Sequence, residues 1–187
     1  MPQVNSKELV LVLGGARSGK SSWALKYVEE RYRSYVFLAT ARVQDEEMAQ
    51  RVRLHKRSRG PEWGLLEEPL EVTEALRLKC GNYESVLMDC LTLWLSNVML
   101  ERGDEGVLSY AKVFLEALAD RKQAIIVVSN EVGMGVVPEH PLGRRFRDYA
   151  GFMNQEIAKM ADKVVFMVAG LPMFLKGDQD SSPSPRN

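Results

Sequence analysis

Short runs of apolar residues recur along the 187-residue chain, and each run has the length of one β-strand. The runs are Glu8–Leu13, Tyr35–Thr40, Ser85–Asp89, Ala124–Asn130 and Lys163–Gly170. Because their apolar residues follow one another without polar alternation, these strands are predicted to be buried on both faces of a parallel sheet.

Longer segments with a helical pattern lie between these runs. They are Ser21–Arg33, Asp45–Arg57, Val72–Leu78, Leu91–Glu101, Leu108–Arg121 and Gly143–Ala161. Strands that alternate with helices predict right-handed βαβ units, and therefore a mostly parallel sheet with helices on both sides. The polar segment 177–187, rich in Ser and Pro, is predicted to be a disordered tail, so that one domain spans residues 1–176.

The segment after the first predicted strand fits the Walker A pattern G-x-x-x-x-G-K-[ST]. It consists of Gly14, Gly15, Ala16, Arg17, Ser18, Gly19, Lys20 and Ser21. Backbone N–H groups of such a loop cradle nucleotide phosphates at a helix N-terminus, and here Lys20 would reach the β- and γ-phosphates. The alternative is a glycine-rich turn with an accidental lysine. The predicted fold is α/β: a single P-loop NTPase domain of the RecA-like type.

Asp89 ends the third predicted strand, where P-loop proteins place an acid that holds magnesium, usually through water. The Ser21 hydroxyl is the expected direct ligand, so Ser21 and Asp89 form the predicted Mg²⁺ site. The alternative is an ordinary strand-terminal aspartate that caps the helix beginning at Leu91.

Other motifs limit the nucleotide chemistry. A regulatory GTPase carries D-x-x-G and N-K-x-D, whereas Asp89 is followed by C-L-T and no N-K-x-D occurs. A small-molecule kinase needs only the loop, the metal and basic residues near the transferred phosphate. Five arginines are candidates for that role or for solvated surface: Arg57, Arg59, Arg144, Arg145 and Arg147. A nucleotide-dependent switch or assembly NTPase is the other alternative.

The chain has only two histidines, and one of them lies in a basic segment. The neighbours Lys56, Arg57 and Arg59 would lower the pKa of the His55 imidazole and attract a triphosphate. A neutral imidazole would serve as a nucleophile or base, the alternative being an ordinary surface histidine. His140 lies in a proline-flanked loop and is expected to be incidental.

Composition limits the classes of binding partner and the cellular location that the sequence predicts. Twenty-five basic and 25 acidic residues give a net charge of +0, which argues against a general binder of nucleic acid or membrane surfaces. The apolar run Leu9–Leu13 is too short for a signal segment or a membrane span. Cys80 and Cys90 are typical of reduced thiols, so a cytoplasmic location is expected.

Several segments together resemble the bifunctional adenosylcobinamide kinase / adenosylcobinamide-phosphate guanylyltransferase family. They are GGARSGKS, DEEMAQRVRLHKRSRGPEW, the strand ending at Asp89 and SNEVGMGVVPEHPLGRRFRD, in order between about Leu11 and Leu171. SNEVGMGVVPE is the most specific, since general P-loop kinases lack it. The resemblance implies phosphorylation of adenosylcobinamide by ATP or GTP. Transfer of GMP from GTP then gives adenosylcobinamide-GDP for the nucleotide loop of cobalamin.

The same resemblance implies roles for particular residues. His55 would carry the GMP covalently, and Leu54 stands where some members have a second histidine. Guanine-nucleotide contacts would fall on the P-loop and on Thr40, Ala41, Arg42, Lys56, Arg57, Ser58, Arg59, Glu67 and Asp89. Glu67 is placed by its spacing after Trp63, with Glu68 beside it. The corrinoid is the implied substrate and a homotrimer the implied assembly. The segment Asn130–Gly135, with Glu131, is expected near the corrinoid or the nucleotide unless it is a structural turn.

Overall fold

Seven strands and four helices lie within residues 7–42 and 59–177, the part of the chain that the computed structural model describes. The strands are β1 (Leu9–Gly14), β2 (Tyr35–Ala39), β3 (Gly64–Glu67), β4 (Ser85–Asp89), β5 (Ala124–Asn130), β6 (Lys163–Val168) and β7 (Leu171–Lys176). The helices are α1 (Lys20–Glu29), α2 (Val72–Leu78), α3 (Leu91–Ala119) and α4 (Pro141–Met160).

The strands form one sheet in the order β3-β2-β4-β5-β1-β6-β7. All pairs are parallel except β6 and β7, which are antiparallel. The register places Gly14 opposite Asn130, and Asp89 opposite Ala39 and Val128. The ends of β1, β2, β4 and β5 therefore meet at one edge, called here the carboxyl edge, which is where open α/β sheets bind ligands.

Apolar cores cover both faces of the sheet. One contains Trp94 and Phe114 of α3 with Met153 of α4, and the other contains Trp23 and Tyr27 of α1. Every residue of β1 is buried, as its continuous apolar run predicts. The mostly parallel sheet with helices on both sides is thus confirmed.

The structure adds two strands to the predicted set. β3 has four residues that alternate between half-buried and exposed, and β7 is an edge strand with four exposed residues. Neither shows the continuous apolar run of a central strand. β6 ends at Val168 rather than Gly170, because Ala169 (φ 50°) and Gly170 (φ 83°) form a left-handed turn into β7.

The two helices predicted at 91–101 and 108–121 are both present within α3, which has a kink between them at Gly103, where the backbone is non-helical (φ 67°, ψ −169°). The helix predicted at 45–57 and the tail beyond Gly177 lie outside the described residues. Both cysteines are free and buried. Among the described helices, none is long and apolar enough to cross a membrane.

Candidate nucleotide-binding site

The loop between β1 and α1 is shaped by two glycines with positive φ, Gly14 (152°) and Gly19 (92°). A Cβ on Gly19 would lie 3.2 Å from the Cα of Gly170, and one on Gly14 would lie 2.6 Å from the Met167 carbonyl oxygen. The N–H of Gly170 donates to the Ser18 carbonyl at 3.0 Å. The β6–β7 turn therefore holds the loop in place, and side chains larger than glycine do not fit at either position.

The start of α1 is available to an anion. Gly19 is its N-cap residue, and no side chain of the described chain caps the helix or places an acid in its first turn. Backbone N–H groups at a helix start need acceptors, and the helix dipole favours a negative one. Phosphate oxygens meet both requirements.

Lys20 lies in the first turn of α1 and is 7% exposed. Its Nζ donates to the Gly15 carbonyl oxygen at 2.6 Å, so the side chain folds back over the loop. Burial lowers the pKa of the Lys20 ammonium, while the charge of Asp89 opposes this shift. A cation desolvated in this way gains when phosphate oxygens become its acceptors.

Asp89 ends β4 at the same edge, and its Oδ2 is buried without a hydrogen-bond partner in the described chain. The N-cap residue of α3 is Cys90, which has no capping side-chain hydrogen bond, so Asp89 does not cap the helix at Leu91. A buried carboxylate oxygen without a donor is costly unless a cation arrives. Asp89 and the Ser21 hydroxyl are the hard oxygen ligands that Mg²⁺ prefers, and the metal would neutralise phosphate charge there.

Thr40 holds the end of β4 rather than offering a free hydroxyl. Its Oγ1 donates to the Cys90 carbonyl and accepts the Cys90 N–H, each at 2.8 Å. Its own carbonyl accepts from Asn97 Nδ2 at 2.8 Å. Arg42 forms an ion pair with Glu101 of α3. The side chains of Thr40 and Arg42, which were expected to contact the nucleotide, thus bind other groups of the protein. Ala41 between them is half-buried.

Arg59 and Glu67 are both brought to the carboxyl edge. The Arg59 guanidinium stacks 3.7 Å from the centre of the Phe37 ring, and its Nη1 is buried without a partner in the described chain. Burial lowers the pKa of Arg59, and the charges of Asp89 and Glu67 oppose this shift. Glu68 instead accepts the Leu70 N–H at 3.2 Å within the loop before α2, which leaves Glu67 as the acid facing Arg59.

His55 and its neighbours Lys56, Arg57 and Ser58 lie outside the described residues. The described chain stops at Arg42 and resumes at Arg59. Both of these residues belong to the carboxyl edge.

Comparison with known proteins identifies the family of this chain. Residues 10–175 match the family described as cobinamide kinase / cobinamide phosphate guanyltransferase. The chain belongs to this family. It is 44% identical over 168 residues to the bifunctional adenosylcobalamin biosynthesis protein CobP of Pseudomonas aeruginosa, covering 90% of this chain and 97% of that protein. It is 31% identical over 181 residues to the CobU protein of Escherichia coli with the same description, covering 90% and 99%.

A solved structure of a KaiC-like protein from Pyrococcus horikoshii is also similar, with a TM-score of 0.45 and 14% identity. The alignment covers 86% of this chain and 70% of that one.

Asn130 was expected near the site, but the polar residues Thr92, Ser129 and Asn154 at the end of β5 were not. Asn130 donates from Nδ2 to Thr92 Oγ1 at 2.8 Å, and Ser129 Oγ lies 2.7 Å from Asn154 Oδ1 of α4. Asn130 is opposite Gly14, so this group lies between the P-loop and the helix that follows Asp89. Only the order of the strands reveals that position, because β5 lies between β1 and β4.

The segment 131–136 after β5 is hydrogen-bonded to the P-loop. The Glu131 N–H donates to the Gly14 carbonyl at 3.0 Å. The Glu131 carboxylate accepts the Gly133 N–H at 2.7 Å and so shapes its own loop. Beyond it, Met134 and Val136 are 80% and 95% exposed. The segment is therefore both a structural turn and a neighbour of the phosphate loop.

The candidate arginines divide into two groups. Arg144 donates to the Pro138 carbonyl at 3.1 Å, and Arg145 pairs with Asp104 at 3.1 Å. Arg59 and Arg147 each keep a buried Nη1 with no acceptor among the described residues.

A cavity of about 570 Å³ lies away from the P-loop, at the edge where the strands begin, and is lined in part by Arg31, Tyr83 and Lys122. The P-loop, Lys20 and Asp89, which are predicted to bind the nucleotide, converge instead at the carboxyl edge.

Proposed function

We propose that this chain phosphorylates adenosylcobinamide with ATP or GTP and then transfers GMP from GTP to the new phosphate. The product, adenosylcobinamide-GDP, serves assembly of the cobalamin nucleotide loop. The observation that carries the proposal is membership of the cobinamide kinase / guanyltransferase family across residues 10–175. The Walker A loop and the unpartnered Asp89 Oδ2 within that range support a nucleotide with Mg²⁺.

In the kinase step, the corrinoid hydroxyl oxygen attacks the γ-phosphorus of the nucleotide. A P–O bond to the acceptor forms, the bond to the β–γ bridging oxygen breaks, the nucleoside diphosphate leaves, and the hydroxyl proton is released to water. Lys20 and the N–H groups at the start of α1 would stabilise the charge that develops on the phosphate oxygens.

In the guanylyl step, His55 is the proposed nucleophile. An imidazole nitrogen attacks the α-phosphorus of GTP, a P–N bond forms and pyrophosphate leaves. The phosphate of adenosylcobinamide phosphate then attacks the same phosphorus, which breaks the P–N bond and restores the imidazole. A phosphoramidate is reactive enough for this second transfer. Arg59, whose Nη1 has no partner in the described chain, would stabilise the departing pyrophosphate. Lys56, Arg57 and Ser58 belong to the same proposed set of nucleotide contacts.

The test is a search for the covalent intermediate. The protein is incubated with Mg²⁺ and GTP labelled at either the α- or the γ-phosphate, then denatured and weighed by mass spectrometry. We expect one GMP per chain carrying only the α-label, none in His55→Ala, and an unchanged adduct in the control His140→Ala. An adduct that persists in His55→Ala contradicts the assigned nucleophile. Kinase activity without any adduct would favour a kinase with phosphoryl transfer only.

We further propose a homotrimer in the cytoplasm. The edge strand β7 supports an interface, because Leu171, Met173 and Leu175 are 53–69% exposed on it. The two free, buried cysteines and the nucleotide substrates support the cytoplasmic location. Light scattering should give the mass of three chains for the native protein and of one chain for Met173→Asp. A monomeric native protein contradicts the assembly.

A further inference from the structure

Arg147 on α4 is half-buried, and one of its N–H groups is buried without an acceptor. Its Nη1 is inaccessible to solvent and has no hydrogen-bond acceptor in the described chain. The two other arginines near the start of the helix are occupied, Arg144 by the Pro138 carbonyl and Arg145 by Asp104. A guanidinium N–H that is buried away from water needs an acceptor, so this one awaits a partner that the described protein does not supply.

The position of Arg147 follows from the helix it belongs to. Asn154 lies seven residues later, two turns along the same face, and is held against Ser129 near the end of β5. α4 runs from the carboxyl edge toward the start of β6. Ala161 follows the helix, and the carboxylate of the next residue, Asp162, accepts the Leu9 N–H at the start of β1. Arg147 therefore lies about 10 Å beyond Asn154, outward from the carboxyl edge.

Arg147 lies one turn before Gly151 and two turns before Asn154 on the same flank of α4. Gly151 and Asn154, but not Arg147 itself, line a cavity together with Leu13 of β1 and Glu131. Arg145 is on the opposite flank, where it meets Asp104 of α3. The Glu131 carboxylate is engaged by the Gly133 N–H in its own loop. Among the described residues, neither Asp104 nor Glu131 forms an ion pair with Arg147.

We infer that Arg147 binds a phosphate group beside the P-loop. A planar guanidinium matches the oxygens of a phosphate dianion. The proposed function offers two sources, and the inference rests on it: the phosphate of adenosylcobinamide phosphate, or the terminal phosphate of the nucleoside triphosphate. Arg147 would position that group for transfer or attack.

The test compares ligands that differ by one phosphate, using Arg147→Gln, Arg147→Lys and the control Arg145→Gln. Dissociation constants are measured for adenosylcobinamide phosphate against adenosylcobinamide, and for a non-hydrolysable GTP analogue against GDP. For one pair, Arg147→Gln should weaken the ligand with the additional phosphate by about 10- to 100-fold relative to its counterpart. Arg147→Lys should lose less, and Arg145→Gln should change less than about twofold.

The pair that responds identifies the source. A selective loss for adenosylcobinamide phosphate assigns the acceptor phosphate, and a selective loss for the GTP analogue assigns the terminal nucleotide phosphate. Equal losses within both pairs, or no loss in either, overturn the inference. The GMP adduct of the unaltered enzyme reports on the proposed function separately, so an adduct together with unresponsive Arg147 variants refutes this inference alone.

Discussion

The two edges of the sheet differ in how their buried charged groups are partnered. At the edge where β1 begins, the buried Glu8 carboxylate accepts from Tyr27 at 2.7 Å and Tyr32 at 3.0 Å, and it pairs with Lys163 at 3.0 Å. At the carboxyl edge, Asp89 Oδ2 and Arg59 Nη1 are buried without a partner in the described chain, as is Ser18 Oγ of the P-loop. Ser85 Oγ at the start of β4 also lacks a partner there, but it carries no charge.

This difference separates stability from binding. A saturated network of buried polar groups fixes the start of β1 against α1, and removing one member leaves the others without partners. Unsaturated groups at the carboxyl edge contribute nothing comparable to folding, and under the proposed function they would bind a triphosphate and its metal ion. Substitutions at the two edges should therefore have opposite effects on stability and on affinity.

The largest expected effect is on stability, from Glu8→Gln. The substitution removes the buried charge that accepts from Tyr27 and Tyr32 and pairs with Lys163, so the free energy of unfolding in urea should fall by about 3–5 kcal/mol. GTP affinity should stay the same. Glu30→Gln, which breaks the exposed Lys26–Glu30 pair, is the matched control and should cost no more than about 0.5 kcal/mol. A cost as small for Glu8→Gln would refute the comparison.

Lys20→Met should show the reverse pattern. Loss of a charge-assisted hydrogen bond to phosphate should weaken GTP binding by about 10- to 100-fold in calorimetry. Because burial lowers the pKa of Lys20, its charged form is disfavoured in the folded protein, and removing the charge should not reduce unfolding free energy. Lys122→Met, at a side chain that is 71% exposed, should change neither quantity. Marked destabilisation of Lys20→Met would mean that the lysine serves the fold.

Asp89→Asn should alter the requirement for magnesium. We expect the Mg²⁺ concentration for half-maximal kinase activity to rise by roughly tenfold, since a neutral amide is a poorer ligand than a carboxylate. The exposed Asp120→Asn is the control. An unchanged Mg²⁺ requirement would remove Asp89 from the metal site.

The smallest effect concerns Cys90, between Asp89 and α3. Burial raises the pKa of its thiol to about 11, and the pKa of Cys80 is likewise raised to about 11. Because the shift is upward, only about 0.1% of either thiol is ionised at pH 8. Iodoacetamide at pH 8 should therefore label neither cysteine in the native protein and both in urea, as measured by mass. Rapid labelling of native Cys90 would show that the carboxyl edge is open at this point.

Central strands were predictable because each consists of a continuous run of apolar residues. The prediction for β1, Glu8–Leu13, differs from the structure by one residue at each end, and β4 and β5 agree at both ends. β3 and β7 were not predicted, since edge strands depend on the neighbour they pair with. At Gly103 a single residue with non-helical backbone joins two helices that the pattern separates.

The candidate site divides in the same way. The P-loop and Asp89 are local motifs, and the structure brings them together. The hydrogen bonds of Thr40 and Asn130 depend on strand order, which no local pattern contains. Arg144, Arg145 and Arg147 look alike in sequence, and only their partners in three dimensions distinguish them. The role of His55 stays a prediction, because it lies outside the described residues.

The most direct test of the account is the gain in unfolding free energy when a GTP analogue with a non-cleavable α–β bridge is added with Mg²⁺. At one hundred times the dissociation constant, the native protein should gain about 2.7 kcal/mol. Glu8→Gln should begin less stable and gain the same amount. Lys20→Met should begin at least as stable as the native protein and, with hundredfold weaker binding, gain only about 0.4 kcal/mol. A full gain for Lys20→Met, or a lost gain for Glu8→Gln, would contradict the division between a binding edge and a stabilising edge.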